Sequence, residues 1–230
     1  MYPTIVKSHK SQSIWAYLQL MRPANIITAW ADILLGYAAA GAVTVGINNL
    51  NYFTLGWLIL ATTGLYGGGV VFNDICDAQL DAVERPERPL PSGRASLLGA
   101  IALGTVLLIL GIVAATMVSN LSAILAVIVA ITALLYDKWG KHQTFLGPLN
   151  MGICRGGNLL LGVSAIPQAV SNRWYLALIP IIYIAAITAI SQGEVRGGKK
   201  ITGFMAIILI GIVIGSILSL GLLPEYSLLI

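Results

Sequence analysis

Apolar positions dominate this chain in seven runs, near residues 24–44, 52–73, 95–118, 120–136, 146–166, 174–192 and 202–222. At about 1.5 Å per residue each run spans roughly 30 Å of hydrocarbon, so each predicts a transmembrane helix. The links between them alternate in character. Those near 45–51, 119 and 167–173 are short and almost uncharged, whereas those near 74–94, 137–145 and 193–201 are longer and basic. Ahead of the first run, "SIWAYLQLMRP" sets Trp15 and Tyr17 beside apolar residues and predicts an interfacial lead-in helix. The chain therefore divides into a tail with this lead-in helix, 1–23, and a transmembrane domain, 24–230. The fold class expected is all-α, a polytopic membrane helical bundle.

Composition agrees with the pattern. The 230 residues are 57% hydrophobic and 10% charged, with a mean hydropathy of +0.87. A soluble domain of this size carries far more polar exterior. The first sixteen residues are polar and predict no cleavable signal peptide. Lys7, Lys10, Arg22, Arg85, Arg88, Arg94, Lys138, Lys141, Arg196, Lys199 and Lys200 gather on one side of the spans, against Arg173 on the other. That asymmetry predicts a cytoplasmic N-terminus and accounts for the basic balance without nucleic acid as a partner. Cys76 and Cys154 are too few for a disulfide framework and read as packing residues.

Candidate chemistry sits in "FNDICDAQLDAVERPERPLPSGR", residues 72–94. Asp74, Asp77 and Asp81 are three of only nine acidic residues, and their spacing of three and four places them on one helix face. Asn73, Asp77 and Asp81 share nearly the same face. Carboxylates that close repel unless a cation neutralises them, and oxygen-only donors suit Mg²⁺ bridging to substrate phosphates. A solvated acidic loop is the alternative. Arg22, Asn25 and Asp32 form a stripe on the first span, and Arg155 and Asn158 form another inside the fifth. Asp32 and Arg155 lie within hydrocarbon, where an isolated charge costs about 2.5–3.5 kcal/mol, so they face a polar cavity or one another. Tyr136, Lys138 and Lys141 end the fourth span on the side of the acids. Together these residues fit a substrate with a diphosphate head and an apolar tail. Transfer and transport of such a molecule both remain open at this point.

The segment "NDICDAQLD", Asn73–Asp81, closely resembles the first aspartate-rich motif of the UbiA family of intramembrane prenyltransferases. The segment "ERPERPLPSGR" is similar to its continuation, "RPAN" (22–25) to its opening signature and "RGGNLLLG" (155–162) to a later one. The resemblance implies a helical bundle around a central cavity, opening to the cytoplasmic side of what is expected to be a bacterial inner membrane. It implies Mg²⁺-dependent transfer from a prenyl diphosphate donor to an acceptor, aromatic or lipid, that the sequence does not name. Asn73, Asp77 and Asp81 would hold the metal, and Asp77, Asp81, Tyr136 and Lys138 would carry the chemistry. Arg22, Asn25, Asn73, Asp74, Arg88, Lys141, Arg155, Asn158, Glu194, Arg196 and Lys199 would bind substrate. Two departures stand out. The loop "SQGEVRGGKK" has Glu194 as its one acid where the family usually has a second aspartate-rich motif, and it resembles that of the bacterial EboC group. About seven spans are read where the family usually has nine. These departures keep open a protein that binds or moves a prenyl or lipid phosphate without making a bond.

Overall fold

The computed structural model describes residues 14–42, 51–195 and 200–221, without side chains at 192–195, 200–202, 206 and 221. Every described element is helical. The lead-in helix α1 (Ile14–Met21) is followed by α2 (Pro23–Tyr37), which runs on through a π-turn at Ala38–Ala42. Next come α3 (Tyr52–Cys76), the short α4 (Ala78–Glu84), α5 (Leu97–Thr116) and α6 (Asn120–Lys138). Then follow a 3₁₀ turn at Gly140–His142, α7 (Leu146–Val163), α8 (Pro167–Arg173), a second 3₁₀ turn at Trp174–Ala177, α9 (Leu178–Val195) and α10 (Lys200–Gly221).

Local chemistry sets the helix starts. Asn51, Ser96 and Ser119 each accept a backbone N–H from the first turn, at 3.0–3.1 Å, and so begin α3, α5 and α6. Pro23 at the first turn of α2 lacks the N–H that a helix start leaves unpaired anyway. Arg22, just before it, takes φ +48°, the left-handed region, and is the one non-glycine residue so placed among the described residues. That turn redirects the chain from the lead-in helix into the bundle. The lead-in helix buries Ala16 and Leu20 and exposes Ile14, Trp15 and Leu18.

Among the described residues, five segments are long and apolar enough to cross a membrane: Tyr52–Cys76, Leu97–Thr116, Asn120–Lys138, Pro167–Ser191 and Gly203–Leu220. The two other expected spans also form helices, α2 and α7. The first is 15 residues long, short of a full span, and the apolar character of α7 is diluted by Arg155, Asn150, Asn158 and its glycines. The link expected at 167–173 is helix α8, nucleated by Pro167 at its first turn. The acidic link 74–94 likewise continues as α4 before it turns.

α2, α3, α6 and α7 form the inner ring; α5 backs α3, and α9 backs α7 with α10 beyond it. Outward faces of α5 and α6 carry Leu98, Ile109, Leu110, Ile124 and Ile131, suited to lipid. With lipid tails as apolar as leucine, close backbone approach is what holds such helices together. Two glycine pairs provide it. Gly64 on α3 meets Gly111 on α5, where an added Cβ at Gly111 would lie 2.9 Å from the Ala61 carbonyl oxygen. Gly36 on α2 meets Gly162 on α7, where a Cβ at Gly162 would lie 2.6 Å from the Ile33 carbonyl oxygen. Backbone cannot yield as a side chain tip can. Gly162→Val is therefore expected to destabilise the protein by about 1–3 kcal/mol, read as a lowered thermal midpoint in detergent, whereas Gly203→Val, in open space, should leave that midpoint in place.

Candidate active site

The four inner helices enclose a cavity of about 280 Å³. Each helix contributes one stripe at the three-and-four spacing of a helical face. α2 supplies Arg22 and Asn25 from its start, and α3 supplies Leu65, Tyr66, Gly69, Val70 and Asn73. α6 supplies Val129, Ala133, Tyr136 and Asp137, and α7 supplies Met151, Cys154, Arg155 and Asn158. Much of the wall is thus apolar, and its polar groups form two clusters.

The deeper cluster joins α2 to α7. Arg155 Nε lies 3.0 Å from Asp32 Oδ2, its Nη2 donates to the Thr28 carbonyl at 3.1 Å, and its guanidinium sits 5.9 Å from the Tyr66 ring centre. Asn158 donates to the Ala29 carbonyl at 2.9 Å and to Asp32 at 3.2 Å, and accepts from Thr62 at 2.7 Å. The intramembrane charges of Asp32 and Arg155 therefore neutralise each other, and of the two Arg155 also lines the cavity.

The second cluster surrounds the C-terminal ends of α3 and α6. The backbone keeps a helical path through the acidic motif: Asp77 N donates to Asn73 O at 3.0 Å and Asp81 N to Asp77 O at 2.8 Å. Asp74, Asp77 and Asp81 consequently follow at helical spacing, but they do not converge. Asp74 and Asp81, 5% and 4% exposed, share Arg88, at 3.4 and 2.6 Å. Asp74 is also ion-paired with Arg22. Asp77 pairs instead with Lys141, in the 3₁₀ turn after α6, at 2.6 Å. Asn73 turns the same way and donates to Asp137 at 2.8 Å. The expected trio Asn73, Asp77 and Asp81 is thus split between two sides. Among the described residues no three His, Cys, Asp or Glu side chains converge on a metal-sized centre.

The physical reason is charge. Buried carboxylates need cations, and without a metal the nearby arginines and lysine serve. The donor chemistry still fits Mg²⁺, since carboxylate and amide oxygens are the hard ligands it takes. One buried oxygen, Asp137 Oδ2, has no hydrogen-bond partner.

The other expected site residues fall as follows. Lys138 is exposed, and Lys141 makes the contact with the acids. Tyr136 and Asn25 line the cavity. The Glu194 side chain, Arg196 and Lys199 lie outside the described residues. Asp137 was missed by the sequence reading. Its signal was present as the acid in "YDKWGK", one helical turn beyond Ala133 on the same stripe.

The chain resembles known membrane proteins in both sequence and fold. The UbiA prenyltransferase family profile matches residues 28–224. The chain is 28% identical over 194 residues to a digeranylgeranylglyceryl phosphate synthase of Sulfurisphaera tokodaii, covering 84% of this chain and 66% of that protein. It is 30% identical over 177 residues to the synthase of the same name from Methanoculleus marisnigri, covering 76% and 60%. It thus spans about 60–66% of the length of these relatives. A solved structure concerning digeranylgeranylglyceryl phosphate synthase in membranes superposes with a TM-score of 0.71 at 26% identity, over 87% of this chain and 74% of that one. The apo structure of a UbiA homolog from Aeropyrum pernix K1 shares the fold, with a TM-score of 0.59 at 18% identity over 84% and 90%. This chain is an integral, multi-pass membrane protein that belongs to the UbiA prenyltransferase family.

Proposed function

We propose that this protein transfers a prenyl group from a prenyl diphosphate to an acceptor within the membrane, with Mg²⁺ as cofactor. The observation that carries this reading is the lattice of Asp74, Asp77 and Asp81 with Arg22, Arg88 and Lys141, bordering a largely apolar cavity. A diphosphate and a divalent cation are complementary to that lattice. Asn73, Asp77 and Asp81 would hold the metal, and Arg22, Arg88 and Lys141, with Arg196 and Lys199 from the following loop, would face phosphate oxygens. Bound there, Mg²⁺ would neutralise charge developing on the leaving group.

The chain's own residues then work by position. The allylic C–O bond breaks, its electron pair leaves with the diphosphate, and the surrounding cations stabilise that charge. The acceptor supplies the electron pair for the new bond and loses a proton. Tyr66 and Tyr136 line the space where the allylic carbon would sit, and Arg155 and Asn158 offer polar contacts to the acceptor. At about 280 Å³ the cavity is at the small end for ligand sites, so the rest of a long tail passes between helices into the bilayer. The names of the relatives support a finer reading: a geranylgeranyl donor and, as acceptor, a glyceryl phosphate that already carries one geranylgeranyl group. The relatives matched are these archaeal synthases and not the EboC group that the 193–201 loop resembles. An orientation with the acidic end and the N-terminus in the cytoplasm follows from the lysine and arginine asymmetry.

A second reading, binding or transport of a prenyl phosphate without bond formation, is favoured by one observation: each aspartate of the motif already has a cation partner. Labelled geranylgeranyl diphosphate, Mg²⁺ and glyceryl phosphate acceptors, incubated with purified protein, separate the two. Product is expected, and Asp77→Asn should lower its rate at least about 10²-fold. Mg²⁺-dependent binding of the diphosphate with no product across acceptors would favour the second reading. Arg88→Ala strands Asp81 in a buried position. It should cost about 2–3 kcal/mol of stability, somewhat under the figure for a fully buried pair, because Arg88 reaches water. Asp81→Asn added to it should cost less than the sum of the two single changes, read from thermal melts.

A further inference from the structure

We propose that Asp137 is a positioning residue for a divalent cation, acting through the side-chain amide of Asn73. The inference rests on the proposed reading of Asn73 as a cation ligand and goes beyond it by assigning the residue that makes Asn73 fit for that role.

An asparagine amide presents a donor end and an acceptor end, and only the acceptor end can hold a metal. Which end faces the cation is decided by what holds the other. Here Asn73 Nδ2 donates to Asp137 Oδ1 at 2.8 Å, from the last turn of α3 to the last turn of α6. The reversed amide would set two acceptor oxygens against each other at that distance, so Asp137 excludes it. Asn73 Oδ1 is left with no hydrogen-bond partner among the described residues, beside Asp77 on the same helical path. Both Asn73 and Asp137 line the cavity.

Asp137 is only 4% exposed, yet its Oδ2 has no hydrogen-bond partner. A buried oxygen left unpaired costs about 1–3 kcal/mol. Such an atom is expected where a bound ion or its water completes the shell. Holding Asn73 needs only one of the two oxygens; the second is available to water carried by the cation. Carboxylates in this outer position typically fix ligand orientation, and their loss costs roughly 10–100-fold in metal affinity.

The test measures Mn²⁺ binding by electron paramagnetic resonance, on the full chain in detergent with inorganic diphosphate present. Asp137→Ala is expected to weaken Mn²⁺ at least about tenfold. Asp137→Asn offers Asn73 either an acceptor or a donor end, no longer fixes its amide, and should recover only part of that affinity. Asn73→Ala combined with Asp137→Ala should be no weaker than Asn73→Ala alone, because the two act through one contact. Thermal melts of each variant confirm a folded protein at the temperature of measurement. Equal Mn²⁺ affinity in wild type and Asp137→Ala overturns the inference while leaving the metal reading intact. A double variant weaker than Asn73→Ala alone overturns it too, because the charge of Asp137 and not the orientation of the Asn73 amide would then be at work. Absence of Mn²⁺ binding by the wild type overturns the metal reading, and this inference with it.

Discussion

Charge buried in a medium that cannot solvate it governs this protein. The bundle encloses Asp74, Asp81 and Asp137 nearly completely, and it places Asp32 and Arg155 among membrane-spanning helices. In water such charges are indifferent to their neighbours. Within a low-dielectric bundle a charge without a counter-charge or hydrogen-bond donors is costly. Most of the polar architecture follows from that requirement. Asp32 draws Arg155 and Asn158 across from α7, and Asp74 draws Arg22 and Arg88. These contacts cross between helices far apart in sequence, so the same interactions that neutralise charge also fix the ring of helices around the cavity.

Close packing sets the geometry in which those pairs can form. Where Gly36 faces Gly162, α2 and α7 approach until backbone touches backbone, which brings Asp32 within reach of Arg155 one to two turns away. On the other side, Gly64 against Gly111 draws α5 onto α3 and leaves the opposite face of α3 to line the cavity. The helices with the least hydropathy are those that meet the cavity, and the most apolar stand outside. The division has one physical cause. Residues that bind and react must be polar, and polar residues stay inside a membrane only when other helices shield them from lipid.

At the acidic end, Arg22, Arg88 and Lys141 neutralise the aspartates of the motif, and in the proposed reading the same cations would face phosphate once the aspartates held a metal. Arg22 is the element held under tension: a non-glycine residue in the left-handed region at the turn into α2, it is positioned to pair with Asp74 while lining the cavity.

The order of amino acids alone determined the helical membrane class, the side on which charge gathers and the residues of the acidic motif. Hydrophobic run length, lysine and arginine asymmetry and helical spacing are local properties, legible without partners. Asp32 and Arg155 could be named as charges needing company for the same reason. What only the tertiary structure decided is who meets whom. Asp77 goes to Lys141 and not Lys138, Asp81 to Arg88, and Asn73 to Asp137, because those distances depend on helix crossings set by glycine contacts remote from the motif. Asp137 could not be ranked above its neighbours until α6 was laid against α3. A side chain's burial and its unpaired oxygen are properties of the assembled bundle, and no window of the sequence contains them.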